Sequence, residues 1–529
     1  MIGRKIVIAV SASWLGQAIR IALNLLVLPV MFRFMGQEEL GIWLVLGQST
    51  AVISFLMEAG LTPTLTRRIA FVAGKSQTGL DERLDEDARR ELATLITSGA
   101  VTYRMVSVGV FVIAFALGSL YLQALDLQHL PATTVWVAWT LLCFGYATAI
   151  WSSLWLALAN GLGYVATATL VSTAVGVAAL LAQAAVVLAG GGLVWLAIVA
   201  AVSGVAARFG LRAYILRRQP DLLSIRGHVD RSLIRSLMGL STRAWLTAFG
   251  DLLLFKTDQY FIALYLDART VPAYYVAYTV LHNLALLALA LGQASSIFVS
   301  RLWQAGALQE IHEIILRSLR ITLILMACGV ATLLAVGADV IGVWVGPENF
   351  VGYPVLATLS VMFILCVQQN AVLTFSRATE NEVYAVPFLV AGAVNLALSW
   401  ILVQAIGVLG VALATLLAQL LTTNWIVLHD GLRRLKLPAA TYVRTCGFPL
   451  LAVFVTALLA TMGAVLDRSL LPTPLSRILV ATGIAGTVCL GGLWLFGLPA
   501  ATRDQIRERL RATMRRRFSD PARTRPPVL

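Results

Sequence analysis

Residues 164–188 of the chain read YVATATLVSTAVGVAALLAQAAVVL, a stretch without a charged side chain. An α-helix of about 20 residues, rising about 1.5 Å per residue, crosses the roughly 30 Å hydrocarbon core of a bilayer. Similar apolar stretches recur from end to end, separated by short polar segments. We therefore predict fourteen transmembrane helices, at residues 7–32, 40–65, 93–121, 134–158, 164–188, 193–215, 236–264, 272–299, 318–345, 354–376, 383–405, 407–428, 445–466 and 478–499.

The composition of the 529 residues agrees with this map. Hydrophobic residues make up 59% of the chain and charged residues 12%, and the mean hydropathy is +0.84. Soluble domains carry about 25% charged residues, so the chain has too little polar surface for one large soluble core. The alternation typical of short membrane strands is missing, which argues against an outer-membrane barrel. The predicted fold class is an all-α polytopic membrane protein.

The charge balance is basic, with 40 Lys and Arg against 26 Asp and Glu, a net charge of +14. A basic excess is typical of proteins that bind nucleic acid or anionic lipid. Nucleic-acid binding requires a solvated basic face, which so apolar a chain cannot supply. We therefore exclude nucleic acid as a partner.

The positions of the basic residues predict the orientation in the membrane. With a cytoplasmic N-terminus, 32 of the 40 fall in inner segments, four in outer loops and four inside spans. Such an excess is expected of inner loops. The sequence thus predicts a multi-pass protein of the bacterial inner membrane with both termini cytoplasmic. The first span follows Met1–Lys5 and has no cleavage site, so we interpret it as uncleaved.

The chain divides into two similar halves. The turn at Phe34–Trp43 has a weak counterpart at Leu266–Tyr275, about 232 residues later. Six spans in each half give both halves the same orientation, and a site is expected between such repeats near the bilayer midplane. The predicted divisions are an N-terminal six-helix bundle (1–216), a cytoplasmic linker (217–235), a C-terminal six-helix bundle (236–430), two additional helices (431–500) and a basic cytoplasmic tail (501–529).

Four short motifs carry a resemblance to a known family. They read FMGQEELGIW at 34–43, EAGL at 58–61, TDQY at 257–260 and GVLGVALAT at 407–415. In order and spacing they resemble Wzx-type polysaccharide flippases of the multidrug/oligosaccharidyl-lipid/polysaccharide exporter superfamily, which includes MATE transporters and lipid II flippases. The resemblance covers roughly residues 1–430. At Glu58 the family often has aspartate, so the carboxylate is kept and its reach changes.

The resemblance implies a flippase that moves an undecaprenyl-diphosphate-linked oligosaccharide, an O-antigen or exopolysaccharide repeat unit, from the cytoplasmic to the periplasmic leaflet. Alternating access coupled to H⁺ or Na⁺ is the expected mechanism, and a polysaccharide polymerase or export machinery is a candidate partner. A MATE-type exporter of organic cations is the alternative in the same class. A membrane glycosyltransferase or polymerase is the alternative in another class, but the short outer loops disfavour it. No other cofactor is expected, since the chain lacks G-x-x-x-x-G-K-[ST] and its five cysteines lack metal spacing.

Polar side chains inside spans are the candidate site residues, because a charge at membrane depth usually faces a bundle interior or a wet cavity. One face of the first span carries Ser13, Gln17, Arg20 and Asn24, spaced 4, 3 and 4 residues apart. Arg20 lies near midplane, where its fork-shaped cation suits a phosphate or a sugar carboxylate. An internal ion pair that holds helices together is the alternative.

The seventh span carries Arg243, Asp251, Lys256 and Asp258. We assign Arg243 and Lys256 to the substrate cavity. Asp251 is at the depth of Arg20 and is the first candidate for binding the coupling ion; Glu58 in the second span is the other. For Asp258 we favour a structural role, such as pairing with Lys256.

Two further features have open interpretations. Asn395 in the eleventh span either lines the cavity or makes polar contacts between helices. In the tail, Ile506, Leu510, Met514 and Phe518 recur every four residues among arginines. That pattern indicates an amphipathic helix on anionic phospholipids, and a solvated basic tail is the alternative.

Overall fold

A computed structural model describes residues 19, 21–58, 61–75, 85–223, 227–304, 306–378, 384–467, 469–497, 503–504 and 508. These residues form helices and connecting turns, with no strand among them. The helices are α1 (Ile21–Phe34), α2 (Gln37–Glu58), α3 (Leu61–Lys75), α4 (Glu86–Ala124), α5 (Ala132–Ser152), α6 (Leu154–Gly161), α7 (Val165–Leu188), α8 (Leu193–Arg218), α9 (Arg231–Phe255), α10 (Asp258–Tyr265), α11 (Val271–Gln304), α12 (Leu308–Val345), α13 (Tyr353–Ala378), α14 (Ala385–Leu421), α15 (Thr423–Arg434), α16 (Ala439–Tyr442), α17 (Phe448–Val465) and α18 (Pro474–Gly492).

Ten helical runs in the described part of the chain are long and apolar enough to cross a membrane. One of them, Ala385–Arg434, overlaps two predicted spans, and each of the fourteen predicted spans overlaps a described helix. The all-helical membrane fold is therefore confirmed, whereas the number fourteen stays a prediction. Helix α14 is two helices joined by a sharp turn, because Ile406 and Gly407 have non-helical backbone angles and the φ of Gly407 is +61°. Such a φ favours glycine.

The chain forms two compact units. The first comprises Met1–Thr279, Trp344–Leu359 and Glu382–Trp425, and the second comprises Val280–Val343, Ser360–Asn381 and Ile426–Leu529. These units are defined by packing, whereas the predicted halves are defined by sequence similarity. The predicted boundaries at 216, 235, 430 and 500 accordingly stay predictions.

Small residues allow close packing of helices in the first unit. A Cβ atom on Gly145 of α5 would lie 2.4 Å from the Cβ of Ala201 in α8. One on Gly161 of α6 would lie 2.6 Å from side-chain carbons of Ile69 in α3. Membrane helices depend on such close approach, because lipid supplies no hydrophobic drive for their association.

Helix α9 begins at a capping residue. The Asp230 carboxylate accepts hydrogen bonds from the hydroxyl and the amide of Ser232, at 2.7 and 2.8 Å, and from the amide of Leu233 at 3.3 Å. The Ser232 hydroxyl first, and then the two amides, hold the pKa of Asp230 below its ordinary value. An acceptor at this position satisfies amides that the first helical turn leaves free.

In the second unit, the last two helices are fastened to α12. Ile324, Cys328 and Ala331 of α12 form a buried cluster with Val453 and Ala457 of α17. Near one end of α18, the Arg477 guanidinium makes two hydrogen bonds, of 2.5 and 2.8 Å, to the Asp339 carboxylate of α12. After the other end of α18, the Phe496 carbonyl accepts from Arg320 at 2.6 Å. The two additional helices are thus an integral part of this unit.

Candidate functional site

The seventh predicted span is a broken helix in the first unit. Helix α9 ends at Phe255, and α10 starts at Asp258 after the non-helical pair Lys256 and Thr257. The last turn of a helix leaves carbonyl oxygens without a partner, and inside a membrane no water is available to satisfy them. A break at this depth is stable only where side chains replace the missing donors.

Side chains from other helices supply these donors. The Asn395 amide lies 3.0 Å from the Leu253 carbonyl oxygen and 3.1 Å from that of Leu254. The Tyr278 hydroxyl donates to the Phe255 carbonyl at 3.1 Å. The amide of Gln48 in α2 lies 3.4 Å from the Lys256 carbonyl. Each of these four carbonyls therefore has a polar side-chain partner, and these contacts with other helices stabilise the break.

Asp258 is the first residue after the break and is almost fully buried, with 2% of its surface exposed. Its Oδ1 accepts a hydrogen bond of 2.9 Å from the Thr415 hydroxyl, and its Oδ2 accepts a short one from the Tyr274 hydroxyl. At the N-terminus of α10, the carboxylate is also stabilised by the helix dipole. Hydroxyl donors on both oxygens offset part of the cost of burying this carboxylate.

Further oxygen atoms continue this cluster. Thr415 Oγ1 lies 3.2 Å from the side-chain oxygen of Asn395, and Ser399 Oγ lies 3.4 Å from that same oxygen. Asn395, Ser399 and Thr415 are themselves fully buried. We call Asp258, Asn395, Ser399 and Thr415 the oxygen cluster. Carboxylate, amide and hydroxyl oxygens are the ligand types that hard cations prefer.

Lys256 lies in the break and is partly buried. Its ammonium is 3.4 Å from the Tyr278 hydroxyl and 5.1 Å from the centre of the Tyr278 ring. The structure therefore gives both Lys256 and Asp258 neutral tyrosine partners, Tyr278 and Tyr274. Tyr274 and Tyr278 are not among the site residues predicted from the sequence. Their spacing of four residues puts them on one face of α11, which is the only signal that the sequence offered.

The first family motif forms a second polar cluster in the same unit. The buried Glu38 carboxylate accepts from the backbone amides of Gln128 and His129, at 2.8 and 2.9 Å. Its neighbour Glu39 accepts from the amide of Leu193 at 2.8 Å. These two carboxylates hold the α4–α5 turn and the start of α8 to the start of α2.

Contacts of the first motif also reach the repeat-related turn. A Cβ atom on Gly41 would lie 1.9 Å from the carbonyl oxygen of Ala268. The Arg269 guanidinium also lies 4.0 Å from the Glu38 carboxylate. The turns at 34–43 and 266–275, predicted to correspond in the two halves, therefore pack against each other, and glycine is required at position 41.

The other predicted site residues are placed as follows. Ser13, Gln17 and Arg20 lie outside the described residues. Asn24 is an exposed residue of α1, and Asp251 is a partly buried residue of α9, two turns before the oxygen cluster. The backbones of Arg243 (α9) and Glu58 (α2) are described, but their side chains are not. The substrate-binding and ion-coupling roles of all these residues stay predictions, as does the tail helix, most of which is also outside the described part.

Comparison with known proteins gives the family and the fold. Residues 8–303 match the family described as "Polysaccharide biosynthesis protein". No curated protein matches the sequence.

Solved structures share the fold at low sequence identity. The lipid II flippase MurJ in an inward closed conformation is 13% identical with a TM-score of 0.66, covering 93% of this chain and 99% of its own. An inward-facing MATE multidrug resistance transporter of the MOP superfamily is 11% identical with a TM-score of 0.63, covering 79% and 94%. A MOP superfamily transporter from Pyrococcus furiosus is 12% identical with a TM-score of 0.55, covering 82% and 95%. With more than half of its length matched by the family and with this fold, the chain belongs to the polysaccharide biosynthesis protein family.

Proposed function

We propose that the protein flips an undecaprenyl-diphosphate-linked oligosaccharide from the cytoplasmic to the periplasmic leaflet of a bacterial inner membrane. The observation that carries this proposal is the combination of a polysaccharide biosynthesis family match with a fold shared by a lipid II flippase. Polysaccharide repeat units of the O-antigen or exopolysaccharide type are built on such lipids, which defines the substrate class. The protein acts as a transporter and forms no covalent intermediate.

The substrate cavity is proposed to include Arg20, with Ser13, Gln17 and Asn24 on its face of the first span and with Arg243 and Lys256 from the seventh. A diphosphate carries negative charge that must be compensated when it leaves water. Arginine donates from a fixed fork that matches phosphate geometry. The lipid chain remains in the bilayer during transfer, so only the polar head group enters the cavity.

For the coupling ion, the oxygen cluster supports Asp258 as a third candidate beside Asp251 and Glu58. The two carboxylate oxygens of Asp258 accept hydrogen bonds from the hydroxyls of Thr415 and Tyr274. A proton or Na⁺ arriving at this carboxylate competes with these hydroxyls. The contacts between α10, α11 and α14 then change, which links ion binding to the geometry of the broken helix. Discontinuous helices hold the coupling ions of several transporter folds.

The test is reconstitution of the purified protein in liposomes with a fluorescently labelled undecaprenyl-diphosphate oligosaccharide. The wild type moves the label between leaflets, and an imposed H⁺ or Na⁺ gradient accelerates this transfer. We expect Arg20→Ala to reduce the rate through loss of head-group binding. Asp258→Asn keeps the size of the side chain, and we expect it to remove the response to the ion gradient. Asp251→Asn and Glu58→Gln tested in parallel identify the coupling carboxylate.

The outcomes test the proposed function and the residue assignment separately. Absence of lipid transfer by well-folded wild-type protein contradicts the flippase. If Arg20→Ala and all three carboxylate variants transfer lipid at the wild-type rate, the residue assignment is wrong while the function stands. Efflux of organic cations without lipid transfer would instead support the MATE-type exporter, whose fold is also shared.

A further inference from the structure

Three consecutive side chains of the first family motif each contact a different turn in the first unit. The side-chain nitrogen of Gln37 lies 3.3 Å from the side-chain oxygen of Asn349, which follows α12. Glu38 accepts from amides of the α4–α5 turn, and Glu39 accepts from the amide that begins α8. The predicted topology puts all of these turns on the periplasmic side. The motif therefore gathers several turns of that side at one place.

Arg269 connects this group to the second predicted half of the chain. Its Nη2 lies 3.1 Å from the side-chain oxygen of Gln128, 2.9 Å from Nδ1 of His129 and 4.0 Å from the Glu38 carboxylate. Glu38, Gln128 and His129 all belong to the first predicted half. We call these three residues and Arg269 the outer latch. One guanidinium group thus joins the two halves here through three side chains.

His129 makes the outer latch sensitive to pH, because histidine changes its charge between about pH 5 and pH 8. Its side chain is 72% exposed, so protons of the solvent reach it directly. A neutral imidazole has one acceptor nitrogen, which can take a hydrogen bond from Arg269. A protonated imidazole has no acceptor and carries the same charge as Arg269. Protonation of His129 therefore replaces an attraction between the halves with a repulsion.

Glu38 strengthens this effect. Its carboxylate lies 3.7 Å from Nδ1 of His129 and is nearly buried. A protonated His129 competes with Arg269 for this carboxylate, because both cations lie at a similar distance from it. A pair of Glu38 and His129 joins residues of the first half alone. Protonation thus moves the partner of Glu38 from the other half to its own half.

The other charged groups around the outer latch have local partners or lie on the same turns. Asp267 lies 4.0 Å from Arg269 within one turn, and Asp126 is an exposed residue of the turn that carries His129. Contacts with Leu193, Asn349 and Phe34 engage Glu39, Glu348 and Arg33, respectively. Protonation of His129 therefore acts mainly on the contacts of Arg269.

We propose that the outer latch is a pH-sensitive closure of the periplasmic side, which holds while His129 is neutral and is released when His129 is protonated. This inference rests on the proposed function, since a transporter that works by alternating access must open this side to release its cargo. The outer latch is separate from the oxygen cluster. It controls when the periplasmic side opens and does not carry the coupling ion.

The test is double electron–electron resonance on the purified full-length protein in lipid nanodiscs. Spin labels are placed at Gln123 and Leu266, exposed residues near the two turns that Arg269 joins, in a chain whose five cysteines have been replaced. Acidification from pH 8 to pH 5 spans the titration of histidine. We expect it to raise the ratio of the longer to the shorter label distance about fivefold, the factor that corresponds to losing one hydrogen bond.

Two variants at position 129 fix the charge. His129→Gln offers Arg269 a neutral acceptor that cannot be protonated at these pH values, so the ratio should stay low at both. His129→Lys is charged at both pH values, so the ratio should be high at both. Since the side chain is exposed, neither substitution disturbs a packed core. Arg269→Gln removes the cation of the second half, and its ratio should no longer depend on pH.

The matched control is His228→Gln. His228 is also exposed and contacts Thr94 at 3.4 Å, on the predicted cytoplasmic side. This variant should keep the pH response of the wild type. The proposal is overturned if the wild type gives the same distances at both pH values, if His129→Gln keeps the response, or if His228→Gln removes it. The measurement needs no lipid substrate, so a protein that responds to pH and transfers no lipid contradicts the flippase and leaves the outer latch intact.

Discussion

Asp258 shows how a single carboxylate can be buried in a membrane helix bundle. Specific donors, here the hydroxyls of Tyr274 and Thr415, offset part of the cost of moving the charge out of water. From the sequence, Asp258 is predicted to have a structural role, with Lys256 as its partner. The structure places a tyrosine hydroxyl next to each charge, Tyr274 at Asp258 and Tyr278 at Lys256. These contacts help to explain how both charges are accommodated.

At this scale we expect Thr415→Val to destabilise the protein. Valine has the same shape but no hydroxyl, so one oxygen of Asp258 loses its donor. A hydrogen bond to a charged group contributes about 1.5–3 kcal/mol, whereas membrane hydrogen bonds average about 0.6 kcal/mol. Reversible unfolding in detergent measures the difference. A loss above about 1.5 kcal/mol indicates a charged Asp258, and a loss near 0.6 kcal/mol would contradict it.

The control for this variant is Thr140→Val. The Thr140 hydroxyl donates to the Trp136 carbonyl of its own helix at 2.8 Å, on an exposed face of α5. Losing that bond leaves no buried carboxylate oxygen without a donor. We expect its free energy of unfolding to change by less than about 0.5 kcal/mol.

At the scale of elements, α14 is a helical hairpin whose two limbs must approach closely. Asn395 lies on the first limb, 11 residues before Ile406, and Thr415 lies on the second, 8 residues after Gly407. A Cβ atom on Gly410 would lie 2.1 Å from the Leu402 carbonyl oxygen of the opposite limb. The glycine therefore sets the distance at which both limbs can reach Asp258.

We predict that Gly410→Ala costs about 1–3 kcal/mol in stability, because the methyl group meets backbone that cannot move freely. It should also weaken coupling by separating Thr415 from Asp258. A methyl group on Gly463 in α17 would have no other atom within 4 Å, so Gly463→Ala is the control and should gain about 0.5–1 kcal/mol. Thermal unfolding in detergent compares the two. Equal effects of both substitutions would refute the close-packing argument.

At the scale of the whole molecule, the orientation in the membrane is a prediction from the distribution of charge. We expect a cysteine at Leu470, an exposed residue between α17 and α18, to react with a membrane-impermeant maleimide in intact cells. A cysteine at Arg217, an exposed residue at the end of α8, should react only after the membrane is opened. Both are introduced into a chain whose five cysteines have been replaced. Labelling in the opposite order would reverse the predicted topology.

The sequence by itself determined the all-helical membrane fold, because a run such as 164–188 can satisfy its backbone in lipid only as a helix. It also indicated the family, through motifs whose order along the chain is readable. It could not show that the motifs at 257–260 and 407–415 meet, at Asp258 and Thr415. Sequence patterns report local periodicity, whereas this contact joins residues 157 positions apart.

Only the tertiary structure decided which polar residues share a site. The break between α9 and α10 is not visible in the sequence, since no proline or glycine lies at Lys256–Thr257. It persists because Asn395, Tyr278 and Gln48 satisfy the freed carbonyls. These donors come from three other helices, so the break depends on packing. Hydrophobicity thus determines where the chain crosses the membrane, and hydrogen bonding between distant helices determines where a helix can be interrupted to hold a buried charge.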